Sequence, residues 1–271
     1  MRPLLSLRDV HYAYPNGVEA IRGLTLDFLP GERVALLGEN GSGKTTLARL
    51  LLGLLRPTQG TIWLEGRDTS QLTTHEITRD VGLVFQNPDH QIFLERVRDE
   101  VAFGPRNLGQ PPPEVEERVE TELRRFDLWK ARHRLPAALS GGERKSVALA
   151  SSFVLQPAVL LLDEPTKGMD YGRKRHLATI ARTLTQEDKT VVFITHDLEF
   201  AYESSDRVVI LRRGRVFLEG RTAEVFAHPS LAEAGLHPPE IPRLLALMEE
   251  RGIDPSSRLY REVSGHLRGS A

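Results

Sequence analysis

The chain contains no cysteine, only two tryptophans, and no excess of either charge. The absence of cysteine excludes thiolate metal sites, cysteine nucleophiles and disulfide switches, and it fits a reducing compartment. The 36 Lys and Arg residues are balanced by 37 Asp and Glu residues, which leaves a net charge of −1 over 271 residues. Because this balance gives no general attraction to polyanions, we expect no nucleic-acid partner.

Long apolar runs are missing as well. The stretch from Leu47 to Leu55 is too short to span a bilayer and contains Arg49 and Gly53. The first ten residues carry no apolar core of the signal-peptide type. We therefore expect a cytosolic protein, which works at a membrane only by docking onto another protein.

Two kinds of strand pattern occur along the chain. Around residues 5–10 and 24–28 apolar and polar residues alternate, which predicts an antiparallel sheet with one solvated face. Later apolar runs are continuous, which fits strands buried on both faces of a parallel sheet. These runs are residues 34–37, 159–162 and 191–194. Helical periods lie between the strands, at residues 46–55, 115–129 and 172–184. This alternation predicts an α/β fold.

The strand signal is weak in one long segment and in the tail. Residues 87–156 have helical periods, which predicts a helical subdomain inserted into a main domain of residues 1–220. Residues 221–271 read as a small C-terminal helical region with an apolar stripe that includes Leu244 and Met248. Packing onto the main domain and contact with a partner explain this stripe equally well.

Residues 38–45 read GENGSGKT and match the phosphate-binding pattern G-x-x-x-x-G-K-[ST] in every fixed position. A buried strand precedes the segment and a helix follows it, so backbone N–H groups and a helix N-terminus converge on one anion. Lys44 is expected to reach the β- and γ-phosphates of a nucleoside triphosphate, and the Thr45 hydroxyl to bind Mg²⁺. The predicted nucleotide-binding residues of this loop are Gly38, Glu39, Asn40, Gly41, Ser42, Gly43, Lys44, Thr45 and Thr46.

Residues 159–165 read VLLLDEP, an apolar strand that ends in two acidic residues. Asp163 is expected to hold Mg²⁺, directly or through water. Glu164 is expected to polarise the attacking water as the general base. An acidic pair after an apolar run is common, and its position downstream of a complete phosphate loop favours the functional interpretation.

Residues 139–143 read LSGGE and precede a helix with apolar periodicity. Free N–H groups, the lack of Cβ atoms and a hydroxyl make this a second predicted anion site. We call residues 139–143 the signature segment. Its predicted nucleotide contacts are Ser140, Gly141, Gly142 and Glu143.

With these motifs in this order, the chain resembles the ATP-binding cassette (ABC) ATPases over about residues 1–220. The resemblance implies ATP and Mg²⁺ as cofactors. It also implies a P-loop NTPase (RecA-like) parallel core with an antiparallel β subdomain, an inserted helical subdomain and a short helical tail. Two such chains would face each other head to tail, and the signature segment of one would contact the γ-phosphate held by the other. Glu143 departs from the usual glutamine of this segment.

The same resemblance assigns roles to four further residues. Tyr14 matches the aromatic residue that stacks on adenine, with Tyr12 the weaker candidate. Gln86 matches the glutamine that senses Mg²⁺, and His196 matches the histidine that contacts the γ-phosphate. Asp170 ends the segment TKGMD, which stands at the position of the family's D-loop.

Finer matches resemble the ATPase subunits of energy-coupling factor (ECF) transporters, which import cobalt, nickel or vitamins. They are VFQNPDHQIF at residues 84–93 and DEVAFGPRNLG at residues 99–109. The resemblance implies a peripheral protein at the cytoplasmic face of the cell membrane. A transmembrane subunit would dock near Gln86 to Phe93, with Ile92 and Phe93 as candidate contacts or, equally, as core residues. Since one chain carries both half-sites, a homodimer is favoured over a pair of different ATPases.

Other classes of protein share some of these motifs. An importer ATPase outside the ECF branch is the serious alternative, and the genomic neighbourhood would distinguish the two. An ABC ATPase of DNA maintenance would carry a long coiled coil before the signature segment, where this chain has a short insert. A small-molecule kinase would leave LSGGE and ITHD unexplained. The cargo stays open, because another subunit would recognise it.

Overall fold

The computed structural model describes residues 2–258, so the end of the predicted C-terminal region, residues 259–271, lies outside the described residues. One sheet is antiparallel, as the alternating pattern predicts. Its strands are β1 (Leu5–Ala13), β2 (Glu19–Phe28), β4 (Gln59–Leu64) and β5 (Arg67–Asp68). Their spatial order is β2-β1-β4-β5. Leu7 lies opposite Leu26 of β2 and Ile62 of β4, so these apolar side chains share the buried face.

The second sheet is mostly parallel and contains the continuous apolar runs. Its strands are β3 (Arg33–Leu37), β6 (Val81–Val84), β7 (Val159–Asp163), β8 (Thr190–Ile194), β9 (Arg207–Arg212) and β10 (Arg215–Arg221). Their order is β10-β9-β3-β8-β7-β6, and β10 pairs with β9 in the antiparallel sense. The register places Leu36 beside Ile194 and Asp163 beside Ile194 as well. The C-terminal ends of β3, β7 and β8 therefore meet at one edge, where α/β proteins bind ligands.

Nine α-helices connect and cover these strands in the described part of the chain. They are α1 (Lys44–Leu51), α2 (Thr74–Asp80), α3 (Val97–Asn107), α4 (Pro112–Arg125), α5 (Gly141–Phe153), α6 (Tyr171–Gln186), α7 (Leu198–Ser204), α8 (Thr222–Phe226) and α9 (Glu240–Glu250). Within residues 2–258, no helix has the length and apolar character needed to cross a bilayer.

The parallel sheet is buried on both faces. On β7, Leu160 and Leu162 point toward α3, α4, α5 and α6, whereas Val159 and Leu161 point toward α1 and the antiparallel sheet. Side chains that alternate between two cores must all be apolar, which explains the continuous runs in the sequence. The α/β fold with a parallel core and an antiparallel subdomain is thus confirmed.

The predicted helical insert and tail are both present, with shifted ends. Residues 87–156 contain α3, α4 and α5. The helix predicted to reach residue 129 ends at Arg125, because Asp127 adopts a positive φ of 59°, which breaks the helical backbone. In the tail, α8 packs on the parallel sheet, while α9 buries Met248 and exposes Leu244. The boundary at residue 220 stays a prediction.

Candidate functional site

Glycine determines the shape of the loop that joins β3 to α1. Gly38 has a φ of 139° and Gly43 a φ of 110°, values that residues with a side chain rarely adopt. A Cβ atom at Gly43 would lie 2.8 Å from the carbonyl oxygen of Ala20, and one at Gly38 would collide with the backbone of Leu211. These two positions therefore require glycine for two reasons, the backbone angle and the close neighbour.

Lys44 begins α1 and turns back over the loop. Its Nζ donates hydrogen bonds to the carbonyl oxygens of Gly38 at 2.6 Å and Glu39 at 2.9 Å, and it lies 3.3 Å from the Ser42 hydroxyl. Burial lowers the pKa of Lys44, and the acidic pair at the end of β7 partly offsets this effect. The loop thus holds one cation close to its own backbone, at the position where phosphates would bind.

The acidic pair consists of Asp163, the last residue of β7, and Glu164, which follows it. Burial raises the pKa of Asp163 and the neighbouring Glu164 raises it further, while Lys145 and Lys44 act in the opposite direction. A cation placed against this carboxylate would stabilise its ionised form. Asp163 therefore has the character of a ligand for a divalent cation.

Residues after β8 fix the carboxylate of Glu164. The backbone of Glu164 has a positive φ of 44°, which is strained for a residue with a side chain. Its N–H donates to the carbonyl oxygen of Ile194 at 2.7 Å, and its Oε2 accepts a hydrogen bond from the hydroxyl of Thr195 at 3.2 Å. Its Oε1 lies 3.7 Å from Nε2 of His196. The carboxylate is therefore held in place, as a general base requires.

Most of the predicted site residues line one open cavity of about 630 Å³. Those that line it are Tyr14, Asn40, Gly41, Gly43, Lys44, Thr45, Thr46, Gln86, Asp163, Glu164 and His196. The predicted loop residues Gly38, Glu39 and Ser42 are not in the lining, and all three contact the ammonium of Lys44. The cavity is also lined by Val18, Glu19, Ala20, Lys167 and Ile194, which no motif predicted as ligands.

The two tyrosines near the start of the chain differ in position. Tyr14 lines the cavity, and its hydroxyl lies 3.0 Å from Oγ1 of Thr46. Tyr12 is only 8% exposed and packs edge-to-face against Tyr14, with the ring centroids 5.0 Å apart. Val18, which is more than half exposed, belongs to the same cavity. An adenine ring could reach Tyr14 and Val18 but not Tyr12, and the stacking role of Tyr14 stays a prediction.

The predicted Mg²⁺ ligands lie together. Thr45, Gln86 and Asp163 all line the cavity and offer a hydroxyl, an amide and a carboxylate oxygen. Mg²⁺ prefers oxygen ligands and usually takes one or two protein groups together with substrate phosphates and water. The donor set therefore fits Mg²⁺ bound with a nucleotide.

The signature segment lies outside this cavity. Ser140 caps α5: its Oγ accepts from the N–H of Glu143 at 3.3 Å, and the Glu143 carboxylate accepts from the N–H of Ser140 at 2.8 Å. This backbone hydrogen bond, together with the Ser140 hydroxyl, lowers the pKa of Glu143. Glutamate at this position therefore completes a capping box, a role that glutamine also fills. Gly141 and Gly142 begin the first turn, where Gly141 is exposed and Gly142 is half-buried.

Asp170 also has a local role and does not line the cavity. It is the N-cap of α6, where its Oδ1 accepts from the N–H of Arg173 at 2.9 Å. Its Oδ2 lies 3.6 Å from Nε of Arg173. In a single chain, Asp170 and the signature segment are therefore separate from the nucleotide cavity.

Residues 21–167 match the sequence pattern of the ABC transporter family. The chain belongs to this family. The match covers the phosphate loop, the glutamine segment, the signature segment and the acidic pair. Membership confirms the expectation of an ABC ATPase with the corresponding fold.

The relatives of this chain include proteins of similar length and much longer proteins. It is 39% identical over 266 residues to the energy-coupling factor transporter ATP-binding protein EcfA of Methanothermobacter thermautotrophicus, covering 97% of this chain and 86% of that protein. It is 44% identical over 253 residues to a putative ABC transporter ATP-binding protein of Methanosarcina acetivorans, covering 93% of this chain. The chain spans only 41% of the length of that relative.

Two solved ABC structures are similar as well. One is cbiO1 of Clostridium perfringens, described as part of the ABC transporter complex cbiONQ, with a TM-score of 0.79 and 32% identity. The match covers 92% of this chain and 100% of the cbiO1 chain. The other is the dimeric ATP-binding cassette MJ0796 bound to ADP and Pi, with a TM-score of 0.73 and 27% identity, covering 80% and 98%.

Proposed function

We propose that the chain is the ATP-hydrolysing motor subunit of an ECF-type importer for a transition-metal ion, such as cobalt or nickel, or a vitamin. The observation that carries this proposal is that one chain contains two parts of a nucleotide site that lie apart from each other. The cavity holds Lys44, Asp163 and Glu164, whereas the signature segment lies elsewhere. The identity to EcfA over nearly the whole chain supports the ECF branch.

The cavity supplies the groups needed for phosphoryl transfer to water. The loop N–H groups and Lys44 would bind the phosphates, and Tyr14 would contact the base. Mg²⁺, held by Thr45, Asp163 and Gln86, would offset the charge of the phosphate oxygens. Glu164 would accept the proton of the attacking water, because the contacts from Thr195 and His196 already orient its carboxylate.

A head-to-tail dimer would complete the site. Each cavity needs an anion-binding partner for the outer side of the γ-phosphate, and the signature segment of a second chain offers free N–H groups for it. Two-fold symmetry then forms two equal sites from one kind of chain, which favours a homodimer. The dimeric MJ0796 cassette supports this arrangement. ATP would close the dimer because both surfaces bind its γ-phosphate, and hydrolysis would open it.

An exposed aromatic surface includes Phe85, which directly precedes Gln86 of the cavity lining. It consists of Phe85, Phe93 and Phe103, which are 42%, 62% and 38% exposed. The rings of Phe93 and Phe103 pack edge-to-face with their centroids 4.8 Å apart, so they present one apolar patch. Ile92, in contrast, packs against the helical core. We infer that the patch receives an apolar helix of a membrane subunit, as an assembly like cbiONQ would need.

The variant Phe93→Glu tests this docking surface. A carboxylate at this position would be desolvated without a partner in the complex, which costs several kcal/mol of docking. We expect loss of co-purification with the membrane subunits and loss of uptake, while the isolated variant keeps its basal ATPase activity. Trp63→Glu changes an exposed aromatic residue on the antiparallel sheet and is the matched control. It should keep co-purification, uptake and basal ATPase activity. Intact co-purification of Phe93→Glu would show that the partner docks elsewhere.

A further inference from the structure

Lys145 is a buried cation that no motif accounts for. It lies in the second turn of α5, two residues after the signature segment, and only 2% of its surface is exposed. Its Nζ donates hydrogen bonds to the carbonyl oxygens of Phe85 at 2.9 Å and Gln86 at 2.8 Å. Within the described residues, no carboxylate forms an ion pair with it. The ammonium is therefore bound by two backbone carbonyls alone.

This arrangement is costly for the folded protein. Burial lowers the pKa of Lys145 to about 8, and Asp163 and Glu164 counter only part of this effect. An apolar side chain of similar length would avoid the cost of desolvating a charge, but it would leave the carbonyl oxygens of Phe85 and Gln86 without a donor. The lysine therefore serves at this position as the hydrogen-bond donor to these two carbonyls.

The hydrogen bonds of Lys145 belong to a longer connection between α5 and the segment from Leu83 to Gln91. Farther along α5, the hydroxyl of Ser152 donates to the carbonyl oxygen of Leu83 at 3.1 Å. At the other end of the segment, Nε2 of Gln91 donates to the carbonyl oxygen of Ala148 at 2.9 Å. Gln91 also donates to the hydroxyls of Ser151 and Ser152, and Arg144 of α5 pairs with Asp89. The segment is thus attached to α5 at several points, and Lys145 provides the attachment at Gln86, which lines the cavity.

Lys145 lies between three parts of the molecule, which are the nucleotide cavity, the exposed aromatic surface and the signature segment. Gln86 lines the nucleotide cavity, and Phe85 belongs to the exposed aromatic surface. The helix that carries Lys145 starts directly at the signature segment. A displacement of α5 would therefore act, through the ammonium of Lys145, on the carbonyl groups of both Phe85 and Gln86.

We propose that Lys145 is a positioning residue, which fixes the backbone of Phe85 and Gln86 to the signature helix and so keeps the Gln86 side chain in the nucleotide cavity. This proposal rests on the proposed ATPase function. Lys145 itself does not line the cavity. Its removal should therefore affect the rate of hydrolysis, which depends on the placement of Gln86, much more than the binding of ATP, which depends on the phosphate loop.

The test compares Lys145→Met with Ser152→Ala in the full chain. We expect Lys145→Met to lower kcat about 10- to 100-fold, because misplacement of a catalytic-site group by about 1 Å has effects of this order. The affinity for a fluorescent ATP analogue should stay within about 3-fold, since the phosphate loop is unchanged. The melting temperature should change little, because methionine removes the cost of burying a charge but leaves the carbonyl oxygens of Phe85 and Gln86 without their donor, two effects that oppose each other. Ser152→Ala removes two hydrogen bonds between the same helix and the same segment, to the carbonyl oxygen of Leu83 and from Nε2 of Gln91. Neither Leu83 nor Gln91 lines the cavity, so this variant should keep its kcat.

Several results would overturn the positioning role. One is a kcat of Lys145→Met equal to that of the wild type, and another is an equal loss of kcat in Ser152→Ala, which would indicate general loosening. If Lys145→Met does not fold, the second variant is Lys145→Gln, whose amide donor lies one bond closer to the backbone and cannot reproduce both hydrogen bonds. It must still lower kcat at constant ATP affinity, and an unchanged kcat overturns the proposal. An inactive wild-type chain would instead overturn the proposed function together with this inference.

Discussion

Lys44→Ala is expected to reduce ATP hydrolysis to background and to weaken ATP binding. Lys44 is the cation that the phosphate loop holds over its own backbone, and its ammonium is 2.6 Å from the carbonyl oxygen of Gly38. Alanine leaves the backbone N–H groups but no positive charge to stabilise the phosphates. Loss of one preorganised electrostatic contact of this kind lowers kcat on the order of 10²–10³-fold.

The measurement is Mg²⁺-dependent phosphate release by the purified variant, together with binding of a fluorescent ATP analogue. Lys130→Ala, an exposed lysine outside the cavity, is the matched control and should behave like the wild type. Equal melting temperatures of both variants would show that the fold is intact. Wild-type turnover by Lys44→Ala would contradict the assignment of the phosphate loop.

Glu164→Gln is expected to lower hydrolysis by about 10²–10⁴-fold, the usual contribution of a general base. Glutamine keeps the length of the side chain and can still accept the hydrogen bond from Thr195, so the cavity should keep its shape. ATP binding should therefore survive while turnover stops. With ATP no longer consumed, the variant should accumulate as a closed dimer with ATP bound between the two chains.

Size-exclusion chromatography with and without ATP and Mg²⁺ measures this dimer. The double variant Lys44→Ala, Glu164→Gln is the control, and it should stay monomeric because ATP binds too weakly to join the chains. A monomer of Glu164→Gln at saturating ATP and Mg²⁺ would count against the head-to-tail arrangement. It would leave the assignment of the phosphate loop intact, since that assignment depends on hydrolysis by Lys44→Ala.

Patterns of residue type alone did not determine the direction of some side chains. Tyr12 and Tyr14 are two residues apart, and only the resemblance to ABC ATPases favoured Tyr14. The fold buries Tyr12 and opens Tyr14 to the cavity. Ile92 and Phe93 are neighbours with similar hydrophobicity, yet one packs inward and the other is exposed. Whether one of two neighbouring side chains points inward or outward depends on the elements packed around it. A pattern of apolar residues in the sequence does not predict this choice.

The sequence by itself determined the phosphate loop and the acidic pair. Each is a contiguous segment at the end of a buried strand, and its geometry follows from glycine, helix and strand properties within about ten residues. Only the tertiary structure decided the environment of Lys145, whose partners Phe85 and Gln86 are about 60 residues away in the chain. The same holds for Val18 at the cavity wall. The physical reason is that no local sequence pattern marks a lysine as buried or a valine as exposed. Their surroundings are determined only when elements distant in the chain pack together.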